Sequence, residues 1–173
     1  MKVFVVTISD RASRGEYRDQ SGPAISRWLE AAIKTPFVLL PKVIPDGIQP
    51  VQNCLVEACA RGHANLVFTT GGTGPAPRDL TPEATRAVIE KELPGFGELM
   101  RRASLRDVPT AILSRQLAGI RGTTLIVNLP GKPSAIKTCL DAIFPAIPYC
   151  LDLIGAGRIE TREEVVSCFR PGA

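Results

Sequence analysis

Two aspartates and one glycine-rich turn carry most of the chemical signal in this sequence. Asp46 follows Pro45 and Asp79 follows Arg78, each after an apolar, strand-like run, Phe37 to Ile44 and Leu66 to Thr70. Two carboxylates facing one crevice suit Mg²⁺ held against phosphate oxygens, because this ion takes one or two carboxylates and lets substrate and water complete its shell. On spacing alone, Asp46 serves equally well as the N-cap of a helix starting near Ile48; for Asp79 the alternative, an early-turn acid before Thr81-Pro82, is weaker than a site role. Between them in the chain lies Thr69-Thr70-Gly71-Gly72-Thr73-Gly74. Its glycines let backbone N–H groups close on an anion, and Thr69, Thr70 and Thr73 add hydroxyl donors, so the stretch reads as a phosphate or carboxylate cradle. It matches neither GxxxxGK[ST] nor GxGxxG. As bare composition, a tight turn after a strand explains it equally well.

Two more post-strand loops belong with these: Ser9-Asp10-Arg11 and Asn128-Leu129-Pro130-Gly131-Lys132-Pro133. Lys132, ahead of a helix start, either offsets phosphate charge or is an ordinary surface lysine. Arg11, Arg14 and Arg18 form a loose cluster that steers an anion or simply faces solvent. The sole histidine, His63, follows a helix stop at Gly62, which excludes Ser-His-Asp triads and leaves little for zinc.

Bringing four such loops to one rim requires parallel strands. The nearly unbroken run Val3 to Ile8 predicts a central strand covered on both faces. Pro23 opens a helix with Ile25, Trp28, Leu29, Ala32 and Ile33 on its apolar side, ended by Thr35-Pro36. Pro41 within the Phe37 to Ile44 run predicts an edge strand. The next helix buries Ile48, Val51, Leu55, Val56 and Cys59, and Leu66 to Thr70 is a third strand. Thr81-Pro82-Glu83 reads as cap, first-turn proline and early acid, with Thr85, Val88 and Ile89 on one face and a break at Pro94-Gly95. A helical piece from Phe96 to Leu105 turns Phe96, Leu99 and Met100 inward, and Leu117 to Ile120 pairs with Thr124 to Asn128 around Arg121-Gly122. Two helices follow, one with Ser134 near its cap and Ile136, Cys139, Leu140 and Ile143 on its stripe, the other from Ile147 to Ile154. The polar stretch after Gly155 wraps the surface or frays. Strands alternating with helices imply right-handed crossovers and a three-layer α/β/α sandwich with a mostly parallel central sheet, in which ligands bind beyond the carboxyl ends of the strands.

The 173 residues fit one domain, 1–173, with 155–173 as a C-terminal tail. Hydrophobic residues at 45% and charged residues at 22% argue against both disorder and a disulfide-stapled miniprotein. Twenty-one Lys and Arg against 17 Asp and Glu give +4, which favours a small polyanion and falls short of a nucleic-acid binder. The five cysteines (Cys54, Cys59, Cys139, Cys150, Cys168) are odd in number, form no CxxC pair and mostly sit among apolar residues, as reduced core thiols of a cytoplasmic protein do. The N-terminal run is too short for a signal segment, and no stretch approaches the ~20 apolar residues of a membrane span.

The Thr69 to Gly74 loop followed by Pro77-Arg78-Asp79-Leu80-Thr81-Pro82-Glu83-Ala84 resembles the molybdenum-cofactor-binding fold family. Glu92-Leu93-Pro94-Gly95-Phe96-Gly97, Ala111-Ile112-Leu113-Ser114-Arg115 and Asn128 to Pro133 are similar to later signatures of the molybdopterin adenylyltransferases, relatives of the gephyrin G domain. Ser9-Asp10 with Asp19-Gln20-Ser21-Gly22-Pro23 is similar to the family's first motif, so the resemblance runs from Val3 to about Ile154. It implies condensation of ATP with molybdopterin to adenylyl-molybdopterin and pyrophosphate with Mg²⁺, a homotrimer, and molybdate insertion by a separate downstream protein. By motif, Asp46 and Asp79 match the two catalytic acids, here also the metal candidates, Ser114 a serine at the ligand site, and Gly71, Gly72, Thr73 and Gly74 the nucleotide and pterin loop. Ser9, Asp10, Arg78, Asn128, Pro130, Gly131 and Lys132 complete the expected substrate-binding set, with Lys132 standing where several relatives are expected to carry an amide side chain. The attacking phosphate is already mostly ionised near neutral pH, so the reaction needs two polyanions positioned rather than a protein nucleophile. Two other readings use the same fold: a pterin holder without chemistry, and a nucleotide-pyrophosphatase-like hydrolase. Retention of both acids speaks against the first, and Thr73 with the Arg78-Asp79 pair against the second.

Overall fold

Side chains along the first strand point alternately to two separate hydrophobic clusters, and the architecture follows from that alternation. In β1 (Lys2–Ile8), Val3 and Val5 join one cluster, while Phe4, Val6 and Ile8 join the other. The same split recurs in β3 (Leu66–Thr70), with Phe68 on one side and Val67 on the other, and in β6 (Thr124–Leu129), with Val127 opposite Ile126. Strands buried on both faces need helices on both faces. The computed structural model, which describes residues 1–60 and 63–172, shows them there; Gly62, the expected helix stop, lies outside the described residues. On the first face pack α2 (Ser21–Ala32), α5 (Pro94–Ser104), α6 (Pro133–Ile143) and α7 (Ile147–Leu153). On the second pack α3 (Ile48–Ala60) and α4 (Thr81–Arg86), while α1 (Asp10–Ser13) is one short turn after β1.

The six strands run in the order β2-β1-β3-β6-β5-β4, with β2 at Val38–Ile44, β4 at Lys91–Glu92 and β5 at Ala118–Arg121. The first four are parallel, and β5 pairs antiparallel with both β6 and β4, so the sandwich is mixed but mostly parallel. β2 is an edge strand, where Pro41 withholds no ladder donor that a neighbour needs. From β1 the chain steps outward to β2, then returns across β1 to β3, carrying α2 over one face and α3 over the other. β1 and β3 therefore flank the topological switch point, where an open α/β sheet leaves a crevice beyond its strand ends.

Several local readings are corrected by packing. The buried stripe of α3 is Val51, Cys54, Leu55 and Ala58, whereas Ile48, the first residue of the helix, and Val56, which turns away from that stripe, face solvent. Leu99 is likewise exposed, whereas Met100 is fully buried as expected, Phe96 packs partly buried against the core and Gly97 joins the inward face. α4 ends at Arg86, well before Pro94, and the two-residue β4 intervenes; Pro94 opens α5. The residues past Gly155 wrap rather than fray. Arg162 donates to the carbonyls of Glu30, Ala31 and Ile33 at the end of α2, Arg170 pairs with Asp152 at 2.5 Å, and Ile159 is fully buried.

Candidate active site

Because β2, β1, β3 and β6 are parallel, their carboxyl ends share one edge of the sheet, and the four singled-out loops leave from it. Side chains staple these loops together. Thr70 Oγ1 donates to Pro130 O at 2.8 Å, Ser21 Oγ donates to Gly131 O at 2.8 Å, and Thr81 Oγ1 donates to Gly71 O at 2.9 Å. Thr81 is thus the first residue of α4 and a clip on the glycine-rich loop rather than the helix cap, a position taken by Leu80.

A cavity of about 240 Å³ opens between the loops. Of the predicted set, Ser9, Asp10, Asp46, Gly71, Gly72, Arg78, Asp79 and Gly131 line it. Gly71 has φ +104°, and a Cβ there would stand 2.3 Å from Ile8 O, so glycine alone permits the close approach of the loop to the end of β1. The N–H groups of Gly72, Thr73 and Gly74 meet no acceptor among the described residues. Successive free donors at a strand end form a concavity suited to an anion.

The two acids are held differently. Asp46 Oδ2 accepts from Asp10 N–H at 2.9 Å, and Asp10 Oδ1 accepts from Asp46 N–H at 3.1 Å, a reciprocal lock between the β1 and β2 loops. Asp46 therefore bonds across to α1 and does not cap α3. Asp79 closes its own turn, its Oδ2 accepting from Ala76 N–H at 3.0 Å. Among the described residues no hydrogen bond engages the other carboxylate oxygen of either acid, and no three His, Cys, Asp or Glu side chains converge to enclose a metal alone. Two partly free, hard oxygen donors lining one cavity fit Mg²⁺ shared with phosphates and water.

Arg115 braces this wall from behind. Its Nε donates to Gly74 O at 2.9 Å, its terminal nitrogens donate to Asp79 O and Glu83 Oε1, and its own N–H donates to Thr73 O at 2.8 Å. Burial pushes the Glu83 carboxyl up, but the Arg115 hydrogen bond, a backbone hydrogen bond and the charges of Arg115 and Arg86 outweigh it and hold the group below the usual carboxylate range.

Three predicted residues stand elsewhere. Ser114, Pro130 and Lys132 line a neighbouring cavity of about 320 Å³, whose walls include Val108, Ala111 and Ala135; Pro130 and Gly131 separate the two spaces. There Ser114 Oγ donates to Gln116 Oε1 at 2.7 Å. Asn128 lines neither cavity. It is fully buried and donates to Thr69 Oγ1 at 2.9 Å and Thr85 Oγ1 at 3.0 Å, so it ties β3 to α4 and cannot reach a substrate. Thr69 is equally buried and Thr70 spends its hydroxyl proton on Pro130, so neither adds a donor to the cradle. Thr73 and Gly74, also predicted, line neither cavity; their carbonyls accept from Arg115 N–H and Nε. Of the loose arginines, Arg11 lines the first cavity and lies 5.4 Å over the Tyr17 ring, whereas Arg14 pairs with Glu16.

Three contributors escaped the sequence reading as site residues: Asp19, Tyr17 and Arg115. Asp19 Oδ2 accepts from Thr7 Oγ1 at 2.6 Å and its Oδ1 accepts from Ser21 N–H at 2.9 Å, so the acid fixes the start of α2 against β1. The spacing Asp19-Gln20-Ser21-Gly22-Pro23, an acid just before a helix start, is a signal that points to it. Arg115 closes the Ala111 to Arg115 signature stretch, but its role is not legible there because its side-chain partners lie 32 to 41 residues away.

A family model described as a probable molybdopterin binding domain matches residues 4–149. The molybdopterin adenylyltransferase of Helicobacter pylori strain J99 is 52% identical over 169 residues, covering 98% of this chain and 96% of its own. That of Escherichia coli K12 is 48% identical over 183 aligned positions, covering 99% and 94% respectively. Among solved structures, the molybdopterin biosynthesis enzyme MoaB from Thermus thermophilus superposes with a TM-score of 0.83 at 41% identity, over 91% of this chain and 98% of its own.

Proposed function

The chain belongs to the molybdopterin-binding domain family, and from that premise we propose that it is a molybdopterin adenylyltransferase, a nucleotidyltransferase of molybdenum cofactor biosynthesis. It joins ATP to molybdopterin and releases pyrophosphate. The observation that carries this reading is the meeting of Asp46, Asp79, Arg78 and the Gly71-Gly72 turn in one cavity at the switch point of the sheet.

The reaction moves an adenylyl group onto a phosphate: an oxygen of the pterin's terminal phosphate attacks the α-phosphorus of ATP, and the bond to pyrophosphate breaks. Both reactants are polyanions, so the protein's task is to hold them together and offset their repulsion. The free N–H groups of Gly72, Thr73 and Gly74 receive phosphate oxygens, and Arg78 adds positive charge at the same wall. Asp46 and Asp79, each with one carboxylate oxygen that no hydrogen bond engages among the described residues, would hold Mg²⁺. When bound, the ion neutralises phosphate charge and polarises the phosphorus under attack. The neighbouring cavity, with Ser114 and Lys132, receives the pterin side, so that Pro130-Gly131 stands where the reactants meet.

The reading extends to assembly and location. The chain works as a homotrimer, which covers exposed apolar side chains such as Ile112, 67% exposed, and Leu113, 53% exposed. It works in the cytoplasm, where a separate protein inserts molybdate into its product; no helix among the described residues is long and apolar enough to cross a membrane.

Incubating the purified chain with molybdopterin, ATP and Mg²⁺ tests the function. Release of pyrophosphate with formation of adenylyl-molybdopterin, abolished by EDTA, is the expected result, and sedimentation equilibrium gives three times the chain mass. Retention of pterin without pyrophosphate would make the protein a holder and end the enzymatic reading.

A further inference from the structure

Arg115 lines neither cavity, yet its guanidinium and backbone grip the loop that presents Asp79 at three points, Thr73 O, Gly74 O and Asp79 O, with Glu83 of α4 as a fourth partner. We propose that Arg115 is a positioning residue for adenylyl transfer, fixing the 73–79 turn so that Asp79 and the free Gly72 to Gly74 N–H groups meet the ATP phosphates in one geometry. This inference rests on the adenylyltransferase reading.

The turn has few other ties. Pro75, Ala76, Pro77 and Arg78 are exposed, and within the turn only the Asp79–Ala76 hydrogen bonds close it. Arg115 supplies what is missing. It reaches residue 74 before the exposed tip and residue 79 after it, and anchors both to Glu83 on α4. The guanidinium is a planar fork with fixed donor directions, so three acceptors gripped at once define a position in space, which an ammonium on a flexible stem does not. Glu83 contributes one oxygen to this grip, and its other oxygen is buried with no hydrogen-bond partner among the described residues. Arg115 is thus both counter-charge to Glu83 and brace of the turn. The adjacent Ser114 faces the second cavity, so one dipeptide serves both sides of the site.

The test is a double-mutant cycle between Arg115→Lys and Asp79→Asn, read as Mg²⁺-dependent ATP binding by calorimetry, with hydrogen exchange of residues 72–79 and pyrophosphate release measured in parallel. Lysine keeps the charge, so Glu83 is not left without a counter-charge; a Glu83→Gln variant, which retains the grips on Gly74 and Asp79, serves as a milder second probe. Arg115→Lys is expected to weaken Mg²⁺-dependent ATP binding about tenfold, to slow pyrophosphate release by about 10²-fold, and to speed exchange in the turn. Placed on Asp79→Asn, the same change adds less than about twofold, because coupled residues are not additive. Unchanged ATP binding in Arg115→Lys, or independent, multiplicative losses in the double variant, overturns the positioning role. The two readings fail separately: a wild-type chain that binds Mg²⁺ and ATP but releases no pyrophosphate ends the adenylyltransferase reading, while the binding cycle still decides the role of Arg115.

Discussion

At the scale of single residues, the site depends on what each polar group is already committed to. Asp46 and Asp79 each give one oxygen to the protein, to Asp10 N–H and Ala76 N–H, and keep the other for the cavity. Replacing Asp79 with Asn preserves an oxygen for Ala76 N–H and removes the charge. Asp79→Asn is therefore expected to slow adenylylation by about 10²–10³-fold, several kcal/mol in the transition state, while the urea midpoint stays near the wild-type value. Near-normal pyrophosphate release from that variant would remove the metal-holding role. Commitments of this kind set the limit of what sequence shows. Asp46 and Asp79 are legible because acids after strands are few, but the same reasoning assigns Asn128 and Thr69 to substrate, and both are buried partners of one another. A polar residue type at a strand end does not say whether it turns outward or back into the protein.

At the scale of elements, the parallel strands are legible because burial on both faces leaves near-continuous apolar runs, as in Val3 to Ile8, and Pro41 marks the edge strand. β4 is not, since its two exposed residues carry no periodic pattern and pair only because β5 lies alongside. The glycine-rich turn is legible as a cradle but not in its geometry, which depends on how closely Gly71 passes Ile8 O. Gly71→Ala would place a methyl group 2.3 Å from that carbonyl at φ +104°. The backbone strain alone costs about 1–3 kcal/mol, so the variant is expected to unfold at clearly lower urea concentration and to lose ATP binding with it. Unaltered stability would show that the turn is not held against β1 as described.

At the scale of the whole molecule, function follows from the reversal of strand order at β1. The step out to β2 and the return to β3 leave the Ser9-Asp10 and Gly71-Gly72 loops facing each other across the switch point, and parallel pairing brings the loops of β2 and β6 to the same edge. Asp10, Asp46, Asp79 and Gly131, far apart along the chain, line one cavity only because of this order. The common rim is inferable from four post-strand loops. Its division into two cavities at Pro130-Gly131 is not, because that depends on hydrogen bonds from Thr70 and Ser21 to those carbonyls. The most direct test of the account is a crystal structure of the chain with ATP and Mn²⁺ in place of Mg²⁺, read by anomalous scattering. The account predicts a metal peak coordinated by Asp46, Asp79 or both, with phosphate oxygens in its shell and on the N–H groups of Gly72 to Gly74. A nucleotide bound with its metal away from both aspartates would contradict it.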